Sequence, residues 1–162
     1  MILFLFALGC KDNENVKNPN NVIPNDFLSG SYYNKLIVEI QYVDGFAPAA
    51  ATVTNLVSFL EQRLNKPSGI SVVQTSISPP GKSTYSLAEI VSLEASNRTQ
   101  TTNSHNLTAY FIFVDGEYSA NSSNSKILGV AYAPTSMVVF EKTVRDFSGG
   151  ATQPPSGRRT PA

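Results

Sequence analysis

An α/β domain on a mixed sheet is the fold class that this sequence predicts, and three observations predict it. Between residues 35 and 97, segments of period-two apolar alternation take turns with segments of helical period. Tyr110-Phe111-Ile112-Phe113-Val114 is apolar on both faces, as a central strand of a covered sheet requires. Two more strand-like runs then follow closely, at 127–132 and 137–140, with no helical segment between them. The expected order is β-α-β-α-β-β-β, with parallel strands, right-handed crossovers and an antiparallel edge.

Each element has its own signal. Lys35 to Tyr42 alternates, with Leu36, Val38, Ile40 and Tyr42 on one face and Glu39 and Gln41 on the other. Asp44-Gly45 turns the chain, and Pro48 suits the first position of a helix, where a missing N–H costs nothing. Val53, Leu56, Val57, Leu60 and Leu64 form one apolar stripe, which Lys66-Pro67 and Gly69 end. Ile70 to Ser76 is a β-branched strand, closed by Pro79-Pro80-Gly81. Ser86 and Glu89 have the spacing of a capping box, and Leu87, Ile90, Val91 and Ala95 supply the stripe of a second helix. Leu107 to Val114 is the strongest strand, and Glu141 to Phe147 has room for one or two helical turns. Both helices are expected on one face of the sheet. The second face of 110–114 then lacks cover, and the Pro/Gly/Ser/Arg-rich residues after Gly149 cannot supply it.

Composition narrows the chemistry. The 162 residues suit one domain, with 12 basic against 12 acidic side chains and no net charge. Without a basic run, a nucleic-acid surface is excluded. One Cys allows no internal disulfide, and one His with one Cys cannot build a His/Cys zinc site. Gly81-Lys82-Ser83-Thr84 has the end of a phosphate-binding loop, but Ser76 stands where its first Gly belongs. His105, the only histidine, lies in an Asn/Thr-rich loop without a Gly-x-Ser-x-Gly elbow elsewhere, so it reads as a solvated loop residue. Glu39, Asp44, Asp115 and Asp146 fall at strand or turn positions from which carboxylates could face one site, and ordinary surface roles explain them equally well.

Residues 1–10 (Met-Ile-Leu-Phe-Leu-Phe-Ala-Leu-Gly-Cys) are too short to span a bilayer but long enough for the core of a signal peptide. The Gly9-Cys10 end resembles the lipobox of bacterial lipoproteins, with Ala7 where Leu is usual and no Lys or Arg before the apolar run. That resemblance implies Cys10 as the lipid attachment point. Residues 11–34 are expected to be a flexible tether.

Several segments are familiar together. They include Glu61-Gln62-Arg63-Leu64-Asn65-Lys66-Pro67, Pro80-Gly81-Lys82-Ser83-Thr84-Tyr85-Ser86-Leu87 and Asn97-Arg98-Thr99-Gln100. The most distinctive are Tyr110 to Gly116, Asn124 to Tyr132 and Thr135 to Thr143. From Leu36 to Gly150 the chain resembles the upstream part of the lipid-anchored membrane metalloproteases of Gram-negative bacteria, whose fold is similar to that of metzincin zinc peptidases. The resemblance implies a metzincin-like mixed sheet and a membrane-anchored lipoprotein of the cell envelope, at the outer membrane or cell surface. In the family a later helix bears His-Glu-x-x-His-x-x-Gly, whose two His hold zinc while the Glu serves as general base. This sequence has no such motif, and Met137 belongs to a strand, so no catalytic or metal-binding residue carries over and no cofactor is expected in this chain. The edge strand does carry over: Ile127, Leu128, Gly129, Val130 and Ala131 match the strand that pairs with extended peptide.

The resulting expectation is a signal-like segment at 1–10, a tether at 11–34, a truncated metallopeptidase-like domain at 35–148 and a disordered tail at 149–162. Alone it is expected to lack peptidase activity. The alternative is a lipid-anchored binding module that uses the same sheet without chemistry. Expected partners are a membrane, through the anchor, and an extended peptide at the edge strand.

Overall fold

The computed structural model describes residues 17–149, so the signal-like segment, Cys10 and all of the expected tail beyond Gly149 lie outside it. The element order is α1 (Pro24–Leu28), β1 (Lys35–Val43), α2 (Ala50–Glu61), β2 (Ile70–Ile77), β3 (Thr84–Tyr85), α3 (Leu87–Asn97), β4 (Asn106–Val114), β5 (Glu117–Tyr118), β6 (Gly129–Ala133), β7 (Ser136–Phe140) and α4 (Glu141–Phe147). The main sheet has five strands in the order β2-β1-β4-β7-β6. β1, β2, β4 and β7 run parallel, and β6 alone is antiparallel, against β7. The α/β class and the mixed sheet with an antiparallel edge are thus as expected.

The placement of the helices is not. Leu36, Val38, Ile40, Leu107 and Ala109 form one cluster, against which Val53, Leu56 and Leu60 of α2 pack. Val43, Tyr110, Ile112, Val114, Val138 and Phe140 form another on the opposite side, with Leu87, Ile90 and Leu93 of α3. The two helices therefore cover opposite faces rather than one. Strand order is the reason. β1 to β2 steps one way across the sheet, and β2 to β4 steps back past β1. Right-handed crossovers taken in opposite directions must land on opposite faces. The uncovered second face expected for 110–114 is consequently closed: α3 lies over it, and Tyr110, Ile112 and Val114 are fully buried.

Local details also moved. α2 starts at Ala50 with Ala49 as its N-cap, so Pro48 precedes the helix instead of opening it. In α3 the inward residues are Leu87, Ile90, Leu93 and Glu94, while Val91 is half exposed. The capping box is formed: Glu89 N–H donates to Ser86 Oγ, and Ser86 N–H donates to Glu89 Oε2. A small parallel pair, β3 with β5, adds to the elements that the sequence pattern predicts. It depends on Gly116, where a Cβ would lie 2.7 Å from the Tyr85 ring and 2.8 Å from the Ser83 carbonyl.

The segment expected as tether belongs in part to the domain. Within 17–34, α1 is helical and Val22, Asp26 and Tyr33 are buried. The buried Lys66 ammonium holds this segment down, donating to the carbonyls of Asp26, Ser29 and Tyr33 at 2.6, 2.7 and 2.8 Å. All three of its protons are used, so the charge is buried with its hydrogen bonds satisfied.

Candidate functional site

β6 ends the sheet, so one of its edges has no strand partner among the described residues. Its outward groups follow from the register. Phe140 N–H donates to Leu128 O at 2.9 Å, and Gly129, Val130 and Ala131 stand opposite Val139, Val138 and Met137. In an antiparallel ladder inward and outward pairs alternate, so Val130 bonds to β7 while Gly129 and Ala131 aim their N–H and C=O outward. Gly129 is needed there, because a Cβ would come within 2.9 Å of the Val138 carbonyl. Of the five expected edge residues, Gly129, Val130 and Ala131 lie in β6, whereas Ile127 and Leu128 precede it. Ile127 N–H is instead bound to Asn121 Oδ1 at 2.9 Å.

The two faces of β6 differ. Val130 and Tyr132 pack against the α3-side core. The other face belongs to Ala131 and Ala133, which open onto a shallow groove with Phe27, Ala109, Phe111 and Met137. No charged side chain lines that groove, so its lining suits small or apolar side chains.

A hydrogen-bonded network anchors the edge to α3. Tyr132 Oη and Ser136 Oγ each donate to Glu94 at 2.7 Å, and Arg98 pairs with the same carboxylate at 2.6 Å. The Arg98 guanidinium lies 5.3 Å from the Tyr110 ring, and Tyr110 Oη donates to Gln41 Oε1 at 2.7 Å. Burial, followed by the Glu94 carboxylate, pushes the Tyr132 and Tyr110 hydroxyls well above the ordinary tyrosine range. They therefore act as donors at neutral pH, not as bases. A register shift at Tyr132, between Ala131 and Ala133, bends the strand where this anchor holds it.

The four carboxylates picked out by sequence do not converge. Glu39 is fully buried and accepts from Thr99 N–H and Oγ1, Gln100 N–H and Gln41 Nε2 at 2.8 to 3.1 Å. It fastens the segment after α3 to β1. Asp115 accepts from Tyr85 Oη at 2.5 Å, Asp146 pairs with Lys142 on the surface, and Asp44 is exposed in the turn after β1. His105 is exposed, with Nδ1 2.9 Å from the Tyr32 carbonyl. Lys82 pairs with Glu89, and α3 starts five residues after it, so no phosphate cradle forms. Among the described residues, no group of three His, Cys, Asp or Glu side chains could hold a metal.

The strand-order reversal at β1 places a crevice beyond the ends of β1 and β4, the usual ligand position in such sheets. Here α4 reaches over it. Arg145 donates to the carbonyls of Gly45 and Ala47 at 2.8 and 3.1 Å and packs over the Phe46 ring. The Glu94 network, the Lys66 clasp and this Arg145 bridge were not legible in sequence. Each joins residues separated by tens of positions, and no local pattern signals it.

Comparison of the chain with protein-family models, with curated proteins and with solved structures finds no match. The fold and site define the class: an α/β domain with a mixed five-stranded sheet and an open antiparallel edge beside an apolar groove.

Proposed function

We propose that the chain is the upstream part of a membrane-anchored zinc metallopeptidase, that it is without peptidase activity by itself, and that β6 is its peptide-pairing strand. The observation that carries this reading is the antiparallel β6 at the open edge of an otherwise parallel sheet, offering Gly129 and Ala131 outward beside an apolar groove. An extended peptide can add to such an edge by main-chain hydrogen bonds while the groove takes alternate side chains. The segment 124–143 that forms β6 and β7 is also among the most distinctive in its resemblance to the family. Hydrolysis would need two histidines and a glutamate one helical turn apart, and the sequence holds only His105.

The second reading, a lipid-anchored binding module, is favoured by one specific observation. With α3 over the second face of β4, the core is closed without any further layer on that side.

The adjacent DNA separates the two. Reading frames beyond codon 150 that encode His-Glu-x-x-His support the peptidase origin, and their absence moves the assignment to the binding module. For activity, the purified chain with added zinc is expected to leave a quenched-fluorescence peptide library uncut. Chelator-sensitive cleavage by this chain would sink the claim of inactivity.

A further inference from the structure

β2 ends the sheet on the side away from β6, and its outer edge is open as well. Leu36 N–H donates to Gly69 O at 3.2 Å, and Asp44 N–H donates to Ile77 O at 3.0 Å. Alternate residues of a parallel strand face a given neighbour, so Ser71, Val73, Thr75 and Ile77 bond to β1. Ile70, Val72, Gln74 and Ser76 aim their N–H and C=O groups outward, and among the described residues no hydrogen bond reaches those groups. The two ends of the sheet are guarded differently. β6 has five residues and a register shift that bends it. β2 has eight, in unbroken register with β1, with no Pro and no charged side chain. Its later residues Gln74, Thr75 and Ser76 are exposed. A long, straight, uncharged edge of this kind is a template for another strand.

The register and side chains of β2 single out one partner, the same strand of a second copy. With two β2 strands antiparallel about a two-fold axis at Val73, Val72 faces Gln74 of the second copy and Ile70 faces its Ser76. These are the hydrogen-bonded pairs of the ladder, so every outward N–H meets an outward C=O. An axis at Val72 would leave Ser76 without a partner in β2, and an axis at Gln74 would leave Ile70 without one. The side chains agree with the Val73 register. Valine meets valine at the axis, the Ser71 hydroxyl meets that of Thr75, and no like charges stand opposed. A contact that uses the same surface on both copies closes on itself and stops at two chains. We infer that β2 is a homodimerisation edge, which joins two five-stranded sheets into one continuous sheet and leaves a β6 edge free at each end. The inference goes beyond the proposed function and does not depend on it.

Hydrogen exchange reads the register without any substitution. In the full chain the amides of Ile70, Val72, Gln74 and Ser76 are expected to gain protection as concentration rises, while those of Ser71, Val73 and Thr75 are protected throughout. Sedimentation over the same range is expected to show a reversible equilibrium between one chain and two. Gln74→Pro removes one outward donor at a place where an edge strand tolerates proline. It is expected to weaken dimerisation about tenfold or more, with its thermal midpoint in dilute solution unchanged. Cys10 is the only native thiol, so Cys10→Ser/Val73→Cys places a single thiol per copy at the axis. The facing Cα atoms there stand about 4.5 Å apart, within disulfide reach. Mild oxidation is expected to link this variant into dimers and to leave Cys10→Ser/Ala131→Cys, with its thiol on β6, unlinked. Should Gln74→Pro fail to fold, the exchange pattern and the cross-link decide. A chain that stays monomeric at every concentration overturns the proposal. So do dimers that Gln74→Pro leaves undiminished, linkage through position 131 but not 73, or protection in β2 that does not alternate.

Discussion

The two faces of β4 are built from alternate residues of one strand, yet they are finished differently. On the α3 side Tyr110, Ile112 and Val114 are fully buried, Gln41 joins Glu39 to the Tyr110 hydroxyl, and Glu94 accepts from Tyr132 and Ser136. On the α2 side Leu107 and Ala109 are buried at one end, while Phe111 and Phe113 remain only half-buried. α2 itself has no fully buried residue. It covers the half of the sheet formed by β1 and β2, and leaves β7 and β6 to a shallow groove edged by Phe27. One face therefore supports the fold, and the other retains apolar surface near an unpaired edge. Surface of that kind beside an open strand is where a binding site can form without breaking the core.

The largest expected effect tests this contrast directly. Ile112→Ala should cost about 3 to 4 kcal/mol in urea unfolding, because α3 leaves little freedom for the cavity to collapse. Phe111→Ala, one residue along, removes a larger side chain but should cost about half as much, since part of that side chain already meets water. Equal costs would mean that the α2-side face is as closed as the other, and the contrast would be lost.

Tyr132→Phe should have a smaller effect, about 1 to 2 kcal/mol, by removing one donor from the Glu94 carboxylate. Its more informative readout is hydrogen exchange. Amide protection in β6 should fall while that of β1 and β4 stays unchanged, since Tyr132 fastens only the edge to α3. Uniform loss across the sheet would show that the network supports the whole core.

The smallest effect is a dependence on pH at the start of α3. The Lys82 ammonium, then the Ser86 N–H and hydroxyl, hold the Glu89 carboxyl down to about 2 from its ordinary 4.5. A carboxyl depressed on folding stabilises the folded state above its unfolded value and loses that contribution as pH falls toward the folded one. Stability should therefore decline between about pH 4.5 and 2, and Lys82→Ala should flatten this part of the profile. Glu89 is only partly buried, so added salt should weaken the effect. A wild-type profile that Lys82→Ala leaves unaltered would remove the pair from the account.

Much of the fold was legible in the residues because the signals are local. The alternation of Leu36, Val38, Ile40 and Tyr42 names one face of β1, and these residues do share a cluster. The two-sided run at 110–114 identified the central strand, the 86/89 spacing the capping box, and 141–147 the last helix. The site was less legible. The sequence pattern starts the edge strand two residues early, because Ile127 and Leu128 are as apolar as a strand requires but are held by Asn121 and Phe140. In α3 the inward position of Glu94 escaped the periodicity altogether, since its reason lies in Tyr132 and Ser136, about forty positions away.

What the sequence determined by itself is the five strands of the main sheet, the helices α2, α3 and α4, and the chemistry withheld: one histidine, one cysteine and no paired zinc ligands. Hydrophobic period and cap chemistry act within a few residues, and composition needs no geometry. Which face each helix covers was decided only by tertiary structure. That choice depends on whether β4 lies beyond β2 or back beside β1, and right-handed crossovers convert the answer into opposite faces. The same placement closes one side of the sheet and leaves β6 open on the other, and the helical stripes alone do not contain that distinction.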